Sequence, residues 1–416
     1  MEALSLLLLG LLPTLALGQL QGTYAVGARA EAAGRTPYAG EAAGPSVDVA
    51  LFPEAKTQAS AGAWQVSGLY TPTLRMREAN AGPQEGVHTA PGRRLEHHHG
   101  LSWLAEYRRE GCVRPYARQL FSYGRFDWLA AWLQAPSTSG TPQPLPLQHA
   151  GSFVLTDLVL ETEAGADFPL SRRWVLTAFV GHTWGGGLNA PSRSALSMAR
   201  TPFGGLQSLW QLTARDALLL NVAARYSFFL SKPAEAGTWD SYGTWKHTLD
   251  ESTELALSAG LSAYGNRPAP AASAFEWHLA PYAALGVVRR FAWEGHTLQA
   301  EAKGKLAPFV DRYAALAYER AEASIHLQWR WKDIYSNAHG GLGRGLGAKA
   351  KQLSMTAYYA ELLMGYRINP CLRVEFRGSH AAYWVLPPVG GGQNPLVRTG
   401  QWRAALGLSA EYSGSY

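Results

Sequence analysis

The C-terminal segment constrains the fold more than any other part of the chain. Trp402, Ala404, Leu406, Leu408, Ala410 and Tyr412 alternate with Gln401, Arg403, Ala405, Gly407, Ser409 and Glu411, and Tyr416 closes the sequence. A period of two puts apolar side chains on one face of a β-strand and polar ones on the other. Such a strand lies in hydrocarbon only within a closed barrel, where no edge leaves backbone N–H and C=O groups unpaired.

Through Trp402, Leu406, Leu408, Tyr412 and Tyr416 the chain resembles bacterial outer-membrane barrel proteins, whose final strand carries spaced apolar residues and a terminal aromatic read by the assembly machinery. The resemblance implies the outer membrane of a Gram-negative bacterium, with outer-membrane lipid and the barrel-assembly machinery as partners.

The N-terminal residues agree. Leu4 to Leu12 form a leucine-rich run, followed by Pro13 and the small-x-small ending Ala16-Leu17-Gly18, the pattern of a secretory signal peptide over residues 1–18. Glu2 stands where such a peptide normally carries Lys or Arg. Residues 19–416 then form the mature chain, read as a single barrel domain. After residue 18 no apolar run reaches the roughly 18 residues of a membrane-spanning helix. Composition favours a barrel over a soluble envelope protein: 47% of residues are apolar and only 16% charged, against about 25% charge in an ordinary soluble domain. The 15 Trp and 19 Tyr suit interfacial belts, where a ring is half solvated.

Strand length separates a barrel from a Trp-rich secreted sandwich. Membrane strands need about 9 to 11 residues, globular ones about five or six. From Glu322 to Trp331 the faces read Glu-Ser-His-Gln-Arg against Ala-Ile-Leu-Trp-Trp without a break, and residues 218–228, 255–263, 298–306 and 372–377 repeat the pattern. Tight turns are expected near Ser60–Gly62, Glu110-Gly111, Phe168–Ser171, Arg215-Asp216, Asp250-Glu251, Trp293–Gly295, Lys332-Asp333 and Asn369-Pro370. Longer Gly/Pro-rich stretches fall at 77–93, 127–148, 186–203, 231–239, 265–272, 339–349 and 386–397. Alternating short and long connections characterise outer-membrane barrels. The reading is therefore all-β, a closed antiparallel transmembrane β-barrel of about 18 strands, with 16 as the alternative and both termini periplasmic.

At that width the bore is an aqueous channel unless loops fold in. The inferred lumen face carries Arg108, Arg225, Lys303, Lys305, Arg330, Arg367, Arg373, Arg377 and Arg403, opposed by Glu106, Glu301, Glu322, Glu361, Glu375 and Glu411. The chain has a formal charge of +6. Lumen cations attract anions, although cross-strand pairing with the carboxylates would instead neutralise them.

No catalytic or metal residue is assigned. His97, His98 and His99 alternate between strand faces and cannot converge on one ion; they read as a wet loop-to-strand junction. Ser336, Asn337 and His339 have the residue types of an outer-membrane phospholipase site without its spacing. Gly340–Gly347 reads as an outer loop, since no helix follows to cradle a phosphate. The proline-rich stretch Ala135–Leu147 reads as a stiff loop. Cys112 and Cys371, beside turns about five strand spacings apart, are expected as two unpaired thiols, being on the order of 20 Å apart.

Wide basic barrels of this kind resemble porins and exopolysaccharide-export barrels such as the alginate exporter. The resemblance implies a channel for a hydrophilic, anionic solute or exopolysaccharide, with a periplasmic polysaccharide-export protein as a candidate partner and neither cofactor, metal nor nucleic acid. The alternative is a structural or adhesive surface barrel in an envelope-spanning or motility complex, with a shut bore. An enzyme is not expected.

Overall fold

Apolar side chains at alternate positions, broken every 13 to 19 residues by a turn, leave each segment one greasy face and one polar face. The computed structural model describes residues 21–35, 46–79, 92–109, 111–127, 154–195, 197–231, 234–267, 275–311, 315–346, 354–386 and 397–415. The proposed leader, Ala135–Leu147 and Tyr416 lie outside them. The strands are β1 (Gln21–Arg35), β2 (Ser46–Ala61), β3 (Trp64–Ala79), β4 (Gly92–Tyr107), β5 (Arg114–Asp127), β6 (Val154–Ser171), β7 (Trp174–Gly187), β8 (Ala199–Gln211) and β9 (Asp216–Phe229). They continue with β10 (Ala234–Asp250), β11 (Thr253–Arg267), β12 (Glu276–Trp293), β13 (His296–Asp311), β14 (Leu316–Trp331), β15 (Ile334–Leu346), β16 (Ser354–Asn369), β17 (Leu372–Leu386) and β18 (Val397–Ser415). One six-residue helix, α1 (Ala190–Ala195), sits between β7 and β8.

Every strand pairs antiparallel with the next, and β1 closes on β18 from Thr23↔Ser415 to Arg35↔Arg403, so the 18-stranded sheet has no free edge. The burial pattern is inverted relative to a soluble domain. The largest fully buried side chains include Glu96, Asp48 and Asp157, whereas Leu279 is 81% exposed and Leu406 61% exposed. An apolar exterior around a polar interior is stable only where the outer wall meets lipid. The protein is an outer-membrane barrel.

All eight tight turns lie at one rim, seven of them where the sequence placed them; of the expected Glu110-Gly111 turn, Glu110 lies outside the described residues. The exception in detail is β6, which runs to Ser171 and turns at Arg172-Arg173. The β12–β13 turn has φ of 44° at Glu294 and 81° at Gly295, the two positive values a tight primed hairpin requires. Gln21 and Ser415 end at this same rim. It also carries an aromatic girdle: Trp64 packs on Tyr107 and Trp174 on Trp210, both at 5.3 Å, while His296 lies 5.2 Å from Trp293 and 5.3 Å from Trp331. Trp277 and Trp402 stand exposed toward the other rim. Along β18, Trp402 and Tyr412 bracket a band about 25 Å tall, the height of an outer-membrane apolar belt.

Two segments expected as loops are largely strand. The connection before β10 ends at Ala234, and Gly340–Leu346 belongs to β15. In β15 the glycines are required by their neighbours, because a Cβ at Gly341 would collide with the ring of Tyr359 and one at Gly345 with Tyr318. Tyrosines from adjacent strands cover these positions and keep the ladder intact, so a glycine run that suggested a loop is a close-packed wall.

The ladder between β12 and β13 stops short of the long-loop rim. β12 and β13 pair from Trp293↔His296 only as far as Ala283↔Leu306, and the same register would set Pro281 opposite Pro308, two residues without an N–H to donate. Above that point β12 stays with β11 and β13 with β14. The β13–β14 end is instead tied to β11: Asn266 Nδ2 donates to Ala317 O at 2.8 Å, and Ala317 N donates to Asn266 Oδ1 at 2.5 Å. A small cluster of Ala199, Phe229, Ala236, Tyr264, Ala280, Ala315 and Ala317 packs behind this tie. Asn266→Ala is expected to leave both Ala317 backbone groups unpaired, costing about 1–3 kcal/mol. The check is a lower temperature for loss of the compact band on unboiled gels.

Candidate functional site: the bore

The polar faces of the strands converge on a cavity of about 1510 Å³, lined from β1 to β10 and again from β13, β14, β17 and β18. Its wall carries nine basic side chains (Arg29, Lys56, Arg75, Arg118, Arg225, Lys305, Arg320, Arg373 and Arg377) and eight acidic ones (Glu54, Glu96, Asp157, Glu161, Asp240, Glu322, Glu375 and Glu411). Interdigitated opposite charges keep water in the bore without a strong single-sign field.

Four of the nine cations inferred from sequence, Arg225, Lys305, Arg373 and Arg377, stand on the cavity wall. Arg403 is 6% exposed and ion-paired with Glu31, which Arg29 also approaches at 3.6 Å. Lys303 pairs with Glu301, and Arg108, just past the end of β4, pairs with Glu106. Arg330 and Arg367 sit toward the short-turn rim, where Arg330 Nε donates to Lys332 O at 3.4 Å and Arg367 N to Asp333 O at 2.8 Å. Arg373 lies 3.4 Å from Glu411 and Arg377 3.9 Å from Glu361. Among the described residues, five of the nine therefore have a carboxylate within 4 Å, and Arg225, Lys305, Arg330 and Arg367 do not.

Sequence reasoning passed over Arg29, Arg75, Arg118 and Arg320. Arg75 is 3.1 Å from Asp48, and Arg118 lies 2.6 Å from Glu163 and 3.9 Å from Glu161. Tyr116 Oη donates to Glu163 at 3.1 Å and Thr183 Oγ1 to Glu161 at 3.1 Å, so this stretch of wall is cross-linked over β5, β6 and β7. The alternation of Thr23, Ala25, Gly27, Arg29 and Glu31 against Tyr24, Val26 and Ala28 was the available signal for Arg29.

The histidine run lies within β4, on alternating faces. His98 shares a hydrogen bond of 2.8 Å with Ser122 Oγ, whereas His99 bonds Tyr70 Oη at 2.9 Å and His97 packs 6.4 Å from Tyr123. Among the described residues no group of three or more His, Cys, Asp or Glu could hold a metal ion. Ser336 falls on the outer face of β15, where Leu342 is exposed, while Asn337 and His339 face inward to His326 and Tyr359. A Ser336 nucleophile would thus be separated from the His339 base by the thickness of the wall. Cys112 and Cys371 are both free and exposed in turns of the short rim.

Comparisons with known proteins bear on this arrangement. The profile of the EpsX exopolysaccharide export family matches residues 15–352. Solved structures similar to the chain include Pseudomonas aeruginosa OccK7 (OpdD), 10% identical with a TM-score of 0.45, covering 94% of this chain and 99% of that one. Another is Acinetobacter baumannii OccAB3, 9% identical with a TM-score of 0.43 and the same coverage. The outer membrane protein opdK of Pseudomonas aeruginosa is 11% identical with a TM-score of 0.43, again covering 94% and 99%. No curated protein matches the chain in sequence.

Proposed function

Since the chain belongs to the EpsX exopolysaccharide export family, we propose that its bore carries a hydrophilic, acidic exopolysaccharide across the outer membrane. The observation that carries this reading is the polar cavity of about 1510 Å³ inside a closed wall, larger than the roughly 300–1,000 Å³ of a small-ligand pocket. Hydroxyls and paired charges on such a wall exchange hydrogen bonds with sugar hydroxyls at little cost in desolvation, which suits a moving polymer better than a tightly bound solute.

In this reading the short-turn rim, with both ends of the barrel, faces the periplasm and meets a periplasmic polysaccharide-export protein. Residues 1–18 direct export and are removed. Trp402, Leu406, Leu408, Tyr412 and Tyr416 present the last strand to the barrel-assembly machinery. The exposure of Trp402, Leu406, Leu408 and Tyr412 on the outer face supports this reading.

Deletion of the gene is expected to abolish surface polysaccharide while small-anion uptake is unchanged, and the purified barrel is expected to conduct in planar bilayers. Unchanged polymer with reduced anion uptake would make the protein a porin. Unchanged polymer together with a silent barrel would favour the structural or adhesive role.

A further inference from the structure

Seven of the nine basic side chains on the cavity wall already have a carboxylate within 4 Å: Arg29, Lys56, Arg75, Arg118, Arg320, Arg373 and Arg377. Arg225 of β9 and Lys305 of β13 have none among the described residues. Each is held over an aromatic ring instead, Arg225 at 5.2 Å from the centroid of Phe203 and Lys305 at 5.7 Å from that of Tyr282. A ring orients a cation without cancelling its charge, so these two retain a vacant electrostatic valence that the other seven have spent.

We infer that Arg225 and Lys305 form a subsite for the carboxylate of an acidic sugar, a uronic acid unit, on the β9–β10 side of the bore. This deepens the export reading and rests on it for its biological role. The surroundings supply the rest of a sugar site. Thr238 stands directly across from Arg225 in the β9–β10 ladder, and Asp240 follows on the same face. Thr201 Oγ1 and Ser227 Oγ share a hydrogen bond of 2.9 Å beside them, and all four residues line the cavity. Hydroxyls of this kind pair with ring hydroxyls, and the Asp240 carboxylate on the same wall has a buried Oδ1 without a hydrogen-bond partner among the described residues.

Charge selects the ligand. Lys305 is brought to β10 by the ring beneath it, since Tyr282 stacks on Tyr242 at 3.9 Å, and Asp240 interacts through charge with both Lys305 and Arg225. Two cations and one carboxylate leave a net charge of one, which a single carboxylate neutralises. A phosphomonoester brings up to two charges and meets repulsion from Asp240. A guanidinium also matches a carboxylate in a planar two-point contact. A neutral sugar leaves that net charge uncompensated.

The test is calorimetric titration of the folded, full-length barrel in detergent with glucuronate, glucose and glucose 1-phosphate. Glucuronate is expected to bind at least about tenfold more tightly than either, in line with one charge-assisted hydrogen bond. Arg225→Gln and Lys305→Gln should each weaken glucuronate by about tenfold. Arg290→Gln, at a rim cation paired with Glu254, should leave it unchanged. Equal binding of glucose, absence of glucuronate binding, or indifference to both lumen substitutions would overturn the subsite. Normal polymer export with no glucuronate binding removes the subsite alone, whereas glucuronate binding in a protein whose deletion leaves polymer intact keeps the subsite and removes the export role.

Discussion

Glu31→Gln should destabilise the barrel by about 3–5 kcal/mol, the usual cost of stripping the counter-charge from a buried ionic cluster. Glu31 is 4% exposed and lies between Arg29 of the same strand and Arg403 of β18, across the seam where the sheet closes. Amidation leaves two guanidiniums facing each other with little water to screen them. The measurement is the urea midpoint for conversion of the compact to the extended band on unboiled gels. Glu54→Gln is the comparison, because Glu54 and Lys56 are both well exposed and such pairs contribute about 0–1 kcal/mol. Replacing Arg403 by Gln in the Glu31→Gln background should recover stability, since the excess positive charge falls by one. Equal losses for Glu31→Gln and Glu54→Gln would mean that the seam is not held by this cluster.

The same seam shows what alternation can and cannot reveal. The period of two in β9, β11, β13, β14 and β18 is strict, so the lipid-facing and lumen-facing sets of those strands were legible residue by residue. The turns were legible because Gly62, Gly111, Asp216, Gly295 and Asn369 mark them. β3, β4 and β5 are harder. Leu69, Leu104 and Leu120 face the bore, whereas His97, His99 and Gln119 face outward, so polarity and direction disagree, and Arg75 and Arg118 escaped notice. Partnerships were illegible for a different reason. Whether Arg373 meets Glu411, or Arg225 a ring in place of a carboxylate, depends on the register between strands, which the pattern within one strand does not fix. The β15 glycines were misleading because their meaning lies in Tyr318 and Tyr359 on the neighbouring strands.

Leu261→Arg is the sharpest test of the outer wall. Leu261 is 60% exposed on β11, and its height is set by two aromatic markers, since Trp245 pairs with Leu257 on one side and Trp277 with Gly265 on the other. Leu261 stands midway between these levels, where the hydrocarbon is deepest and a charged side chain has the longest way to reach water. A cation at the midplane costs about 2–4 kcal/mol in such barrels, falling toward zero at the interfaces. Leu261→Arg should therefore lower stability by that amount in lipid vesicles, read from the urea dependence of tryptophan fluorescence. Gln58→Arg, on the lumen side of β2 against the cavity, should stay within about 0.5 kcal/mol of the unmodified protein. The contrast reads direction and depth together, because Leu261 faces outward at mid-height whereas Gln58 faces the bore near the short-turn rim. If the two variants lose equal stability, or if Leu261→Arg costs nothing, the exposed leucines do not face lipid and the polar cavity is not a passage through a membrane.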